Sequence, residues 1–207
     1  MMFWNLNHRK RKHIISKFAD KVGLVYFGFV NQHSDDHKVV RGLTVSPSHQ
    51  DNNYSVGTVS GYNVTIVDRS DEFNWLIMSF ELHTKQPMPH FFIGPKNHNL
   101  ESFSALFSTF PNMKDVKLGT FENYNEEFLN RFTLFARPGK SIEVERLLTA
   151  GITRTLGAHL WPLSVEQHNN VLYIYADNAH VTPHLLDSML KNGLWLAAVL
   201  DSQSELV

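Results

Sequence analysis

The sequence predicts an α+β fold in which an antiparallel β-meander and hairpins pack with about four helices. Apolar residues recur at helical spacing near both ends of the chain, while the region between them alternates polar and apolar residues with a period of two. Turn residues also separate paired strand-like runs. Apolar residues make up 43% of the 207 and include 15 Phe, which is enough for a buried core.

The first predicted element is an amphipathic helix over residues 9–22, because Ile15 and Phe18 recur on one helical face. Gly23 fits the end of this helix, since glycine commonly terminates helices. Residues 1–8 precede the helix, and we expect them to be flexible.

A β-hairpin is predicted where two strand-like runs, 54–59 and 62–67, flank the dipeptide Ser60-Gly61. Glycine adopts the positive φ of such a tight turn at little cost. An antiparallel meander is the simplest assembly of these runs with their neighbours. The neighbouring strand-like runs are residues 39–45, 73–82 and 91–93.

The second half of the chain begins with a helical pattern at residues 99–109 and continues with a strand at 132–136. A further helix is predicted to about Leu156, with Ser141 as its capping residue, because serine side chains satisfy the free N–H groups at helix starts.

Another hairpin is predicted around Asn169 and Asn170, because asparagine tolerates the left-handed turn conformation. The last helix is predicted to start at Thr182-Pro183, where a capping residue precedes a proline in the first helical position.

We expect a single domain over residues 1–207, with an alternative division into lobes at 20–110 and 121–200. The apolar run from Gly193 to Leu200 is the best membrane candidate, and it is shorter than the about 20 residues that a spanning helix needs. The N-terminal segment also lacks the order of a secretory signal, so the expected location is cytoplasmic.

Composition excludes several kinds of chemistry. The absence of Cys removes disulfides, thiolate nucleophiles and cysteine zinc sites. A formal net charge of −1 argues against nucleic acid as a partner. Phosphate-binding, nucleophile-elbow and zinc-protease motifs do not occur, and no cofactor is predicted.

Twelve His are the main oddity of the composition. His33, Asp35 and His37 form a candidate metal site, because imidazole and carboxylate are common metal ligands. The alternative is chance clustering in a polar loop, since such a loop loses conformational entropy when it closes around an ion.

A basic segment near the N-terminus contains a second set of candidate binding residues. Trp4, Arg9 and Lys10 are candidate binding residues: the basic residues suit phosphates, an anionic membrane surface or an acidic partner, and Trp4 beside them suits a membrane interface. The alternative is an ordinary solvated helix face, which is the usual role of such charges.

The segment 127–132, with the sequence EFLNRF, precedes a strand, a helix, a hairpin and a final helix. This order resembles a bacterial family of unknown function in which an EFN-x-R-F-like stretch is followed by a helix, a hairpin and a helix. The resemblance implies a fold without catalytic residues, and many members follow a membrane segment. We single out Glu127 and Arg131 as candidate binding residues, while the alternative is that their charges pair with or cap nearby structure.

The leading hypothesis is a non-catalytic binding or scaffolding domain that holds a protein or small ligand on a sheet face or in a cleft. A hydrolase or transferase that uses carboxylates or His, with or without a metal, is the first alternative. Peripheral membrane association through the basic N-terminus is the second.

Overall fold

The computed structural model describes residues 2–29, 50–70, 74–84, 86–96, 112–177 and 180–204, and for residues 2–8 and Asp177 it describes the main chain. Several predicted features lie outside these ranges. They are the strand at 39–45, the helix at 99–109 and the candidate metal residues His33, Asp35 and His37.

The described residues form five helices and nine strands, which confirms the predicted α+β class. In chain order the elements are α1 (Met2–Val22), β1 (Val25–Gly28), β2 (Gln50–Val59), β3 (Tyr62–Ser70), β4 (Asn74–Glu81), β5 (Phe91–Pro95), β6 (Lys114–Asp115), α2 (Glu126–Arg131), β7 (Phe132–Ala136), α3 (Ser141–Leu147), α4 (Ala150–His159), β8 (Ser164–His168), β9 (Val171–Asp177) and α5 (Pro183–Ser204).

The described strands make one antiparallel sheet in the order β1-β2-β3-β4-β9-β8-β5-β7-β6. The strands β1 to β4 form a meander in which each pairs with the next. Beyond β4 the sheet no longer follows the chain, because β9 pairs with both β4 and β8, and β5 pairs with both β7 and β8. Strands from both of the lobes considered above, 20–110 and 121–200, therefore share one sheet.

Both predicted hairpins are present, and their turn residues have the expected conformation. Ser60 and Gly61 have φ values of 50° and 87°, and Asn169 and Asn170 have values of 50° and 60°. A positive φ at both central residues gives the twist that antiparallel strands need across a two-residue turn.

The sheet has two different faces, since successive side chains of a strand point to opposite sides. On one face, here called the helix-covered face, strand residues pack against buried residues from every described helix. Its strand residues include Val64, Ile66, Leu76, Met78, Phe80, Ile93, Leu134, Val165, Leu172 and Ile174. The opposite face, here called the second face, has its own apolar cluster, formed by Tyr54, Val67, Trp75, Ile77, Phe92, Met113, Tyr173 and Tyr175.

The helix α1 is fixed to the sheet by a polar chain as well as by apolar packing. Arg11 donates to both carboxylate oxygens of Asp68, at 2.8 and 2.6 Å. Asn53 donates to the same carboxylate and accepts a hydrogen bond from Tyr26. A bidentate pair of this kind fixes the orientation of the helix on β3.

Three helix boundaries differ from the predictions. The helix α1 begins at Met2 rather than at residue 9. The helix predicted from Ser141 to about Leu156 is divided into α3 and α4, because Thr149 has an extended main chain with ψ of 163°. Ser141 is the first residue of α3 and not its cap, since the cap position is Lys140 and no side chain bonds there.

The short helix α2 was not predicted. Asn125 caps it, because its side chain accepts hydrogen bonds from the main-chain N–H groups of Glu127 and Phe128. An asparagine before two glutamates is a recognisable helix start, because a capping side chain and acidic residues in the first turn both favour it.

Candidate functional site

A cleft of about 710 Å³ lies where the β4–β5 connection meets α3 and the last turn of α5. Its lining combines carboxylates, hydroxyls and an amide with apolar side chains. The described lining residues are His83, Thr84, Gln86, Pro87, Met88, Pro89, Glu143, Leu147, Asp201 and Ser204.

Asp201 is the best-anchored polar group of the cleft. The Tyr62 hydroxyl donates to one of its carboxylate oxygens at 2.8 Å, and the main-chain N–H of His83 donates to the other at 2.9 Å. The His83 ring stacks on the Tyr62 ring with centroids 4.6 Å apart. Its Nδ1 atom lies 3.9 Å from the Asp201 carboxylate.

The electrostatics of Tyr62 follow from this contact. Burial raises the pKa of Tyr62 to about 12, and the hydrogen bond to Asp201 and the charge of its carboxylate act in the same direction. The hydroxyl therefore stays protonated and keeps donating to Asp201 at neutral pH. The hydrogen bond holds the Asp201 carboxylate in one orientation. The Asp201 side chain, which lines the cleft, is 16% exposed.

The position of α3, which supplies Glu143 and Leu147, depends on a buried carboxylate. Glu145 accepts hydrogen bonds from the main-chain N–H groups of Gly119, Thr120 and Phe121 at 2.9, 2.7 and 3.2 Å. Burial by itself would raise the pKa of Glu145, but these hydrogen bonds outweigh it and lower the pKa.

A second polar group lies on the second face of the sheet, and its residues are not among the described residues that line the cleft. His90 Nε2 is 2.8 Å from Glu166 Oε1, and the Tyr175 hydroxyl donates to Glu166 Oε2 at 2.5 Å. The ring of His168 stacks on that of His90 with centroids 4.2 Å apart. One ligand atom from each of His90, Glu166 and His168 lies within 4.8 Å of the others.

Burial has strong effects in this group. It raises the pKa of Tyr175 well above its usual value, and the charge of Glu166 adds to the effect. Burial and the neighbouring His90 lower the pKa of His168, against the opposing effect of the Glu166 carboxylate. At neutral pH Tyr175 is therefore a proton donor, and the lowered pKa of His168 favours its neutral form.

The structure brings two of the sequence-predicted site residues together but places them in neither group. Glu127 and Arg131 form a salt bridge of 2.9 Å along α2. Arg131 also donates to the carbonyl of Gly157, at 2.7 Å, and so fastens α2 to α4. The pairing of nearby charges, which was the alternative interpretation, is thus present.

The remaining predicted binding residues lie on α1. Arg9 and Lys10 have exposed side chains, and Trp4 belongs to the part of α1 where only the main chain is described. The sequence predictions included neither polar group, because Tyr62 and Asp201 are 139 residues apart in the chain and His90 and Glu166 are 76 apart. Glu166 and His168 are two residues apart on a strand, and this period-two spacing was the available signal.

No protein-family model matches the chain, and no curated protein matches it in sequence. Its fold is similar to the crystal structure of the mycobacterial trehalose monomycolate transport factor A, TtfA, with a TM-score of 0.65. The two share 12% sequence identity, over 91% of this chain and 93% of the other. At this identity the likeness establishes the shared fold and not a shared activity.

Within the described ranges, each helix is either too short or too polar to cross a bilayer.

Proposed function

We propose that the protein is a non-catalytic binding domain that holds a small amphiphilic ligand in the cleft beside Asp201. The observation that carries the proposal is the cleft itself. Its volume of about 710 Å³ falls within the range of about 300–1,000 Å³ typical of small-molecule sites.

The lining suits a ligand with a hydroxyl-rich head and a hydrocarbon part. The Asp201 carboxylate accepts hydrogen bonds, and the Thr84 and Ser204 hydroxyls, which donate to the carbonyls of Gln86 and Asp201, have oxygen lone pairs that accept them. Met88 and Leu147 contribute apolar surface to the same cleft. Mixed lining of this kind favours binding through burial of the apolar part and orientation of the polar part.

The structural neighbour supports a role in handling a ligand rather than transforming it. That protein is described as a transport factor for trehalose monomycolate. The proposal for this chain depends on the cleft, because a shared fold does not by itself imply a shared function.

Thermal unfolding of the full chain tests the proposal, with dodecyl maltoside below its critical micelle concentration as the amphiphilic probe. A probe at about 100 times its dissociation constant adds about 2.7 kcal/mol, which raises Tm by roughly 5–10 °C for a domain of this size. Trehalose is the second probe, because it has the sugar hydroxyls without the hydrocarbon chain.

Two tryptophan substitutions on the last turns of α5 provide a matched pair. Ser204→Trp places a large ring in the cleft, whereas Ser202→Trp places it on an exposed position of the same helix. Both serines bond back to main-chain carbonyls, so the local cost of losing the hydroxyl is similar. The probe shift should disappear in the first variant and remain in the second. Equal shifts in both would move the binding away from this cleft.

An enzyme is the rival, and the approach of His83 Nδ1 to Asp201 is the observation that favours it. Turnover of p-nitrophenyl esters tests this alternative. Turnover that is abolished by His83→Gln, while the fold is retained, would overturn the non-catalytic assignment.

Peripheral contact with an anionic membrane is a second candidate function, favoured by the exposed cations of α1. Arg9, Lys10 and Lys12 are exposed, while Arg11 turns toward the sheet and pairs with Asp68. Each cation near an anionic surface contributes about 1 kcal/mol, and salt screens the attraction.

Cosedimentation with phosphatidylserine vesicles measures this binding. The double variant Arg9→Ser/Lys10→Ser should lose binding, and the wild type should lose it at high salt. The matched control is Lys114→Ser/Lys117→Ser, which removes two exposed cations elsewhere. Binding that weakens equally in both variants would show a general charge effect and contradict a role for α1.

A further inference from the structure

We propose that the protein binds a divalent transition metal ion, Zn²⁺ by preference, through His90, Glu166 and His168 on the second face of the sheet. None of these three residues is a described lining residue of the cleft, so the metal site is tested independently of the proposed function.

The register of the sheet brings the three residues together. In the pairing of β5 with β8, Phe91 lies opposite Gln167, so His90, directly before β5, lies opposite His168. Glu166 and His168 are on the same side of β8, because they are two residues apart. All three side chains therefore leave the same face of two adjacent strands, and strands hold ligand positions more rigidly than loops do.

The distances are close to those of a metal site. Zinc binds imidazole nitrogen and carboxylate oxygen at about 2.0–2.2 Å, which puts neighbouring ligand atoms about 3.3–3.6 Å apart in a tetrahedron. His90 Nε2 and Glu166 Oε1 are now 2.8 Å apart, and all three ligand atoms lie within 4.8 Å of one another. An ion that replaces the hydrogen between His90 Nε2 and Glu166 Oε1 needs only small side-chain rotations before His90, Glu166 and His168 all bind it.

The donor set agrees with the choice of metal. Two imidazoles and one carboxylate suit zinc and related transition metals, whereas Mg²⁺ and Ca²⁺ prefer sets of oxygen ligands. Three protein ligands leave a fourth tetrahedral position for water or another ligand.

A supporting hydrogen bond orients the carboxylate. The Tyr175 hydroxyl donates to Glu166 Oε2, the oxygen that does not face His90. Metal-binding carboxylates are commonly held by such outer hydrogen bonds, whose loss lowers metal affinity by about 10–100-fold. Glu166 and Tyr175 are almost completely buried, while the partial exposure of His168 gives an ion a route from solvent.

The test uses the full chain after treatment with EDTA. Zn²⁺ titration by calorimetry should give one site per chain with a dissociation constant below about 1 μM. Co²⁺, used as a spectroscopic probe, should develop the intense visible absorption of a tetrahedral N/O site. Absence of both signals in the wild type would overturn the proposal and leave the three residues as a hydrogen-bonded group.

Variants locate the ion. His168→Ala should lower the Zn²⁺ affinity by at least about 100-fold. His184→Ala, an exposed histidine of α5, should leave the affinity unchanged. Tyr175→Phe should lower it by about 10–100-fold, because it removes the orienting hydroxyl and keeps the ring. Far-UV circular dichroism and Tm identify variants that fail to fold.

The histidines at positions 33 and 37 provide the decisive comparison. The double variant His33→Ala/His37→Ala should bind Zn²⁺ as the wild type does. Loss of the ion in that variant together with full affinity in His168→Ala would overturn the site on the second face and place the metal at His33 and His37.

Discussion

The two faces of the sheet are both buried, yet they are built from different residue types. On the helix-covered face, strands and helices contribute a continuous apolar cluster. The second face combines aromatic rings with charged and polar side chains, and these include Asp51, Arg69, His90 and Glu166. Arg69 and Asp51 form a bidentate ion pair in which both side chains are fully buried.

This difference indicates that the faces have different roles. Burial of apolar surface is the main source of folding stability, at about 25 cal/mol per Å². A buried ion pair contributes little net stability, because the desolvation of both charges opposes their attraction. We therefore infer that the helix-covered face stabilises the domain, while the second face requires a specific arrangement of polar partners.

The ion pair offers the largest test of this comparison. Asp51→Ala leaves the Arg69 guanidinium buried without this carboxylate and should lower the free energy of unfolding by about 3–5 kcal/mol. Urea denaturation of the full chain measures the change.

The double variant Asp51→Leu/Arg69→Met is the control, because it removes both charges together. Its stability should be close to that of the wild type or above it. A double variant as unstable as Asp51→Ala would show that the pair is a net source of stability, and the contrast between the faces would fail.

Close packing on the helix-covered face gives the next effect. Gly193 of α5 lies against the buried ring of Phe80, and a Cβ at this position would overlap that ring. Gly193→Ala should therefore cost about 1–3 kcal/mol, although alanine is the better helix former.

A second substitution checks the cause. Phe80→Leu should partly restore the stability of Gly193→Ala, because it removes the overlapping ring atoms. Lys191→Ala, at an exposed position of α5, should change the free energy of unfolding by less than about 0.5 kcal/mol. Independent, additive costs of the two core substitutions would contradict the overlap.

Besides Asp68, which pairs with Arg11, Gln167 also departs from the apolar pattern of the helix-covered face. Gln167 lies on the same side of β8 as Val165 and is fully buried, and its amide makes no hydrogen bond to a described residue. Gln167→Leu should raise the free energy of unfolding by about 1 kcal/mol, measured by urea denaturation. A loss of stability would mean that the Gln167 amide is hydrogen-bonded and contributes to stability.

A further effect is a pH dependence at the border of the helix-covered face. The pKa of Tyr62 is about 12 in the folded protein and 10.0 in the reference state. Stability from this hydroxyl is present below pH 10.0 and is lost as the pH rises toward about 12, because the unfolded chain releases the proton first.

Tyr62→Phe should flatten the alkaline fall in stability within that window, measured by urea denaturation at several pH values. Thr58→Ala, at an exposed position on the neighbouring strand, is the control and should leave the profile unchanged. An identical alkaline fall in the Tyr62 variant would assign the effect to other tyrosines, such as Tyr175.

Short-range features of this protein were determined by the sequence alone. The turns at Ser60-Gly61 and Asn169-Asn170, the end of α1 at Gly23 and the start of α5 at Thr182-Pro183 were all predicted. Each depends on the conformational preference of one or two residues, and Thr182 indeed accepts the hydrogen bond from Leu185 N–H that a cap provides. Such preferences act over a few residues and need no distant partner.

Only the tertiary structure decided the strand order and the two polar groups. Nothing in the local pattern of β9 shows that it lies between β4 and β8, because many pairings satisfy the same alternation of side chains. Asp201 lies 139 residues from Tyr62 in the chain, and His90 lies 76 residues from Glu166. These contacts form because the whole core buries the most apolar surface in one arrangement, and that is a property of all the strands and helices together.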